Sequence, residues 1–182
     1  MMRRHGRTVL ELFAEKQIET EVDRIATEIA THCSGDPSNL MLVAVLKGAF
    51  VFTADLMRAL SRKGVAPEVE FISLSSYGAG TVGGEVRLFR DIERPVDGRD
   101  VVLVEDILES GRTVALARKL MWERGAKSVR LAVLLDKPGH RKVEIEAEHV
   151  GFTCPDKFVV GYGLDAGYRF RELPFIGYLV EE

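Results

Sequence analysis

"VVLVEDILESGRTVALA" (residues 101–117) runs from an apolar stretch into three carboxylates, breaks at Ser110-Gly111 and resumes with helical character. Its first part has strand length and no polar face, which predicts a strand buried on both sides of a parallel sheet. The same texture recurs on either side of it. "LMLVAVL" (40–46), "EVEFISL" (68–74) and "SVRLAVLLDK" (128–137) read as further strands, with later ones near "DKFVVGYGLD" and "PFIGYLVEE". Between them lie helical stretches. Ile18, Val22, Ile25 and Ile29 recur at helical spacing, and "GAFVFTADLMRALSRKG" ends in Arg62, Lys63 and Gly64, the cations and glycine of a helix C-terminus. "RTVALARKLMWERG" stops likewise at Gly125. The alternation predicts an α/β fold: a mostly parallel twisted sheet with helices on both faces. Ligands of such sheets sit at the C-terminal ends of strands, here after Leu46, after Leu74, at Glu105-Asp106 and at Asp136-Lys137.

The chain has 182 residues, a length that suits a single domain spanning 1–182. Its hydrophobic (46%) and charged (29%) fractions are those of a globular protein. A net charge of -3 argues against nucleic-acid or anionic-membrane partners while leaving room for a local anion pocket. Cys33 and Cys154 lack metal-ligand spacing and make no disulfide framework, which fits reduced thiols and a cytoplasmic location. "MMRRHGRTV" is basic but leads into no apolar segment of a signal peptide, and no apolar run has the length of a membrane span.

"GAGTVG" (78–83) matches the dinucleotide-binding glycine pattern and follows a strand, but the pattern requires a helix to begin within it. "GEVRLFRDIERP" follows instead, so this stretch reads as a loop, in its sharper form a lid. No Walker A pattern occurs. The opening stretch is more specific. Ser110, Gly111, Arg112 and Thr113 stand at a helix start, where free N–H groups and the helix dipole attract an anion. Glu105 and Asp106, one turn earlier, offer paired acceptors for the vicinal hydroxyls of a ribose, directly or through a divalent metal. Together these describe a ribose 5-phosphate site; an acidic strand end that merely caps the next helix would give the same letters.

"VVLVEDILESGRT" resembles the phosphoribosyl diphosphate signature of type I phosphoribosyltransferases. "LKGAF", "SSYG", "LLDK" and "PDKFVVGYGLD" with "FREL", in that order, narrow the resemblance to the hypoxanthine-guanine phosphoribosyltransferases. It implies that fold, with a small hood formed by the terminal segments, and transfer of a phosphoribosyl group to N9 of a 6-oxopurine in purine salvage. It further implies magnesium as cofactor and a homodimer or homotetramer. Lys47 and Gly48 then match the pyrophosphate loop, where the family has a non-proline cis peptide before the lysine. Ser76 and Tyr77 match the loop that closes over the reacting centre. Glu105 and Asp106 match the ribose-binding acids, Ile107 and Leu108 lead into the phosphate loop, and Glu109, Ser110, Gly111, Arg112 and Thr113 match that loop itself. Lys137 matches the donor to the purine 6-oxo group, Phe158 the ring that stacks on the base, and Val159 its backbone contact. Asp165 matches a carboxylate that helps to hold magnesium, with Glu105 and Asp106 as the other candidate ligands, and Arg171 matches a pyrophosphate-binding arginine. Glu109 and Lys137 are the catalytic candidates. One pair departs from the family: Glu109-Ser110 stands where Asp-Thr is usual.

A non-catalytic regulator on the same fold is the rival from another class. It would need a basic nucleic-acid face, which the net charge disfavours.

Overall fold

The computed structural model describes residues 2–4, 6–33, 36–76 and 86–180. In chain order the elements are β1 (Met2–Arg4), β2 (Arg7–Phe13), α1 (Glu15–His32), β3 (Leu40–Leu46), α2 (Phe50–Arg62), β4 (Glu68–Ser76) and β5 (Val86–Arg90). They continue with β6 (Asp100–Leu108), α3 (Arg112–Glu123), β7 (Ser128–Asp136), β8 (His149–Thr153), β9 (Val159–Val160) and β10 (Ile176–Val180).

Six strands form one sheet in the order β5-β4-β3-β6-β7-β8, parallel except for the edge strand β5. The apolar runs sort by alternation. Leu40, Leu42, Val102 and Val104 face the helices α1 and α2, while Met41, Val43, Val101 and Leu103 face α3. Period-two side chains therefore supply two cores from one set of strands, which is why those strands read as apolar throughout. Leu103 is fully buried, so Leu103→Ala costs about 2–5 kcal/mol through lost burial and the cavity left behind.

A second, antiparallel sheet, β1-β2-β10-β9, joins both ends of the chain. With Val9, Val160, Phe170, Leu173 and Phe175 as its own apolar cluster, it is the expected hood. β1 and β2 give no clear strand signal in the sequence: β1 pairs with β2, and the other partner of β2, β10, is far away in the chain. β5 and β8 also went unassigned in the sequence; both are short strands at the sheet edges.

The strand order places β3 and β6 side by side although β4 and β5 intervene in sequence. The chain reverses its direction across the sheet between them, and a crevice opens at such a switch point beyond the strand ends.

Candidate active site

β3 ends at Leu46 and β6 at Leu108, so the two turns that follow face each other across this crevice. The Leu46-Lys47 peptide is cis, as the resemblance implies. The next residue is glycine, and an added Cβ at Gly48 would overlap the Asp106 carboxylate unless that side chain shifted. The turn at Lys47-Gly48 is thus seated directly on the acid pair of β6.

β6 presents that pair at its end. Asp106 is buried, and its Oδ1 accepts the N–H of Ile107 at 2.9 Å. The Oε2 atom of Glu105 is covered and has no hydrogen-bond partner among the described residues. Burial pushes the Glu105 carboxyl well above the usual carboxylate range, and the adjacent Asp106 charge adds to the shift. An orphaned carboxylate oxygen beside a second carboxylate fits hydroxyl donors or a divalent cation.

Beyond Leu108 the chain turns through Gly111, whose φ of 79° L side chains rarely adopt, into α3. No side chain caps α3 in the usual way, and the nearest polar contact is a long one, Arg112 N–H to Ser110 Oγ at 3.4 Å. The Glu109 carboxylate does not cap the helix. It accepts from Lys137 Nζ at 2.9 Å, which disposes of the capping alternative.

The cleft has two lobes. One, of about 280 Å³, is lined by Lys47, Gly48, Glu105, Asp106, Ile107, Leu108, Glu109, Ser110, Gly111 and Thr113 among others. The other, of about 400 Å³, adds Lys137, Lys157, Phe158, Val159, Asp165 and Arg171. Lys47, Gly48, Asp106, Ile107 and Glu109 line both, so the lobes adjoin. Arg112 lines neither; heading α3, it is placed to contribute its backbone rather than its side chain. Ser76 ends β4. Its side chain and the whole of Tyr77 lie outside the described residues.

In the second lobe Lys137 Nζ meets Glu109, Asp156 Oδ1 at 3.2 Å and the Lys157 carbonyl at 3.3 Å, so all three of its donors have acceptors. Burial works against its charge, but the hydrogen bonds it donates to Glu109 and Asp156 outweigh it and hold the ammonium above the ordinary lysine value. Phe158 is 64% exposed, which rules out a core role and leaves its ring free to stack on a planar ligand. Lys157 is drawn over the Tyr178 ring at 3.6 Å, tying this segment to the hood. Asp165 accepts from Arg171 at 2.6 Å and from the Tyr168 N–H at 2.8 Å, and Lys47 Nζ lies 5.6 Å from the Tyr168 ring centre. Asp165 does not join Glu105 and Asp106 in one cluster. Among the described residues no three His, Cys, Asp or Glu side chains form a metal site of their own.

Size does not mark the site. A larger cavity, about 1090 Å³, lies between α1, α2 and the 162–174 segment, and of the candidate residues only Arg171 reaches it.

A family model described as a phosphoribosyl transferase domain matches residues 8–166. The chain belongs to the phosphoribosyltransferase family. Its relatives place it among the hypoxanthine and hypoxanthine-guanine members. The hypoxanthine-guanine phosphoribosyltransferase of Streptococcus thermophilus is 40% identical, with 94% of this chain and 93% of that protein covered. The bifunctional protein TilS/HprT of Listeria monocytogenes is 46% identical over 94% of this chain, but the chain spans only 26% of that relative's length. The hypoxanthine phosphoribosyltransferase of Trypanosoma cruzi, solved in work on how its C-terminal region affects oligomeric state and activity, superposes with a TM-score of 0.91. It is 37% identical, with 98% and 95% of the two chains covered.

Sequence reasoning missed several contributors to this phosphoribosyltransferase cleft. Asp156 and Lys157 sit inside the quoted "PDKFVV" block, yet nothing in their spacing announces that they hold Lys137. Arg141 lies outside every quoted motif.

Proposed function

We propose that the cleft transfers the 5-phosphoribosyl group of phosphoribosyl diphosphate to N9 of hypoxanthine, guanine or both, releasing pyrophosphate and forming the nucleoside 5′-monophosphate. The C1′–O bond to pyrophosphate breaks, the N9–C1′ bond forms, and the purine gives up one proton. The observation that carries this reading is Glu109 at the junction of the two lobes, with its carboxylate on Lys137 and its backbone in the phosphate loop.

The small lobe receives the ribose 5-phosphate: Ser110, Gly111 and Thr113 meet the phosphate at the α3 N-terminus, and Glu105 and Asp106 meet the hydroxyls. The larger lobe receives the base, with Phe158 against its face, Val159 at its edge and Lys137 exchanging one of its three contacts, the long one to the Lys157 carbonyl, for O6. Glu109 takes the purine proton at N7 as general base. Lys47 and Arg171 face the leaving pyrophosphate. Glu105 and Asp106 together, or Asp165 apart from them, are the residues that would hold magnesium, which supplies positive charge against the diphosphate and characteristically takes one or two carboxylates plus phosphate oxygens. Loop closure at Ser76 and Tyr77 would exclude water.

The chain acts as one phosphoribosyltransferase domain in the cytoplasm. Two free, buried thiols and the absence, among the described residues, of any helix long and apolar enough to cross a membrane support that placement. It acts as a homo-oligomer, a reading supported by exposed Phe50 and Tyr168 beside the large groove; sedimentation at micromolar concentration would show a dimer or tetramer.

Purified protein supplied with magnesium, phosphoribosyl diphosphate and hypoxanthine, guanine or xanthine tests the reaction. Nucleotide and pyrophosphate should form with a 6-oxopurine and stop when chelator is added. Turnover in excess chelator removes magnesium from the account, and no nucleotide with any base removes the reaction.

A further inference from the structure

Arg141 lies in the segment between β7 and β8, lines neither lobe, and spends its guanidinium on the back of the site. Its Nη1 donates to the carbonyl oxygens of Leu108 (2.6 Å), Glu109 (2.7 Å) and, at the limit of reach, Lys137 (3.5 Å). Nε donates to the Ile145 carbonyl at 3.3 Å, and Nη2 pairs with the Asp136 carboxylate. The backbone stitches the same surfaces: Lys137 N–H donates to Leu108 O at 3.0 Å and Lys142 N–H to Ser110 O at 2.9 Å. An added Cβ on Gly111 would overlap Ile145, so the segment also packs directly behind the head of α3.

These bonds aim the phosphate loop. In a trans peptide the N–H points opposite to the carbonyl of the preceding residue. With the Leu108 and Glu109 carbonyls turned to Arg141 and that of Ser110 turned to Lys142, the N–H groups of Glu109, Ser110 and Gly111 face the other way. Those three residues line the small lobe. Successive N–H groups on one side of a turn at a helix start form an anion cradle. The same guanidinium touches the Lys137 carbonyl and Asp136, so it also fixes the purine end against the phosphate end. A planar fork with five donors can serve several acceptors at once, whereas an ammonium has three donors and no such plane.

We propose that Arg141 is a positioning residue for the transfer reaction: from outside the cleft it orients the phosphate-loop N–H groups and holds them in register with Lys137. The proposal rests on phosphoribosyl diphosphate being the substrate. Steady-state kinetics of the unaltered protein, Arg141→Lys and Asp136→Asn test it, with folding followed by circular dichroism. Misplacing bound groups by about 1 Å costs on the order of 10²-fold. Arg141→Lys should therefore raise the KM for phosphoribosyl diphosphate about 10- to 100-fold, with a smaller rise for hypoxanthine. Asp136→Asn, which loosens one anchor of the arginine, should move the same KM in the same direction by a smaller factor. A folded Arg141→Lys with both KM values unchanged and only kcat or the melting point lowered shows a merely structural arginine and overturns the proposal. If Arg141→Lys does not fold, Asp136→Asn decides: a raised KM upholds the proposal and an unchanged one overturns it. An unaltered protein that makes no nucleotide overturns the proposed reaction itself, an outcome the variants cannot mimic.

Discussion

The two ends of the cleft, proposed above as the phosphate end and the purine end, are built in opposite ways. The phosphate end comes from one strand–helix junction: residues 105–113 follow one another, and their geometry is set by β6, a left-handed glycine and the start of α3. The purine end is assembled from parts far apart in the chain. Lys137 leaves β7, Phe158 and Val159 precede and enter β9, and Asp165 and Arg171 lie in the segment leading to β10. A contiguous site can be stated by its sequence, whereas an assembled one depends on the fold to bring its pieces together. Ser110, Gly111 and Thr113 are usable wherever a helix begins, but Lys137 acquires meaning only beside Glu109, Asp156 and Lys157.

If the ends divide the labour this way, specificity belongs to the assembled end. An ammonium has donors and no acceptor, so Lys137 suits a 6-oxo group and leaves a 6-amino group unpaired. The unaltered protein should favour hypoxanthine over adenine by about 10⁴-fold in kcat/KM. Competition assays in which adenine reacts as well as hypoxanthine would break the assignment.

Chemistry belongs to the junction. Glu109→Gln should lose about 10²- to 10⁴-fold in kcat with little change in phosphoribosyl diphosphate binding, while Glu109→Asp remains active. Because Glu109 pairs with the buried Lys137 and not with the α3 head, any fall in the melting point of Glu109→Gln reports the weakened ion pair rather than a lost helix cap. A near-normal kcat would take the proton transfer away from it.

Gly48 lines both lobes, so its replacement should injure both ends at once. Gly48→Ala pushes against Asp106 and should cost about 10²-fold in kcat/KM, raising KM for both substrates. A change confined to one substrate would show that the ends are independent. The smallest effect should fall on the exposed ring: Phe158→Ala removes a stacking partner worth about 1–3 kcal/mol per base and should raise the purine KM on the order of 10-fold, leaving that for phosphoribosyl diphosphate alone. Equal changes in both KM values would remove Phe158 from the base.

What the sequence makes legible follows the same division. β3, β6 and β7 are readable because each carries an apolar run that covers both faces, and the 109–113 loop is readable because helix-start chemistry is local. β1 and β2 are not, since β2 is defined by pairing with the distant β10 and β1 by pairing with β2. The roles of Lys137, Phe158 and Asp165 came through resemblance, because each letter alone suits a surface lysine, a core ring or a turn. Asp156 and Arg141 escaped altogether: they act on Lys137 and on backbone carbonyls, and a carbonyl has no letter.

In the proposed reaction the two ends form one site that a single molecule spans. Calorimetric titration with a 6-oxopurine nucleoside 5′-monophosphate tests this most directly, comparing the unaltered protein with Thr113→Val at the phosphate end and Phe158→Ala at the purine end. One nucleotide should bind per chain, and each variant should weaken it by about 5-fold or more, the loss of about 1 kcal/mol at either end. Binding that either variant leaves unchanged would contradict a common site.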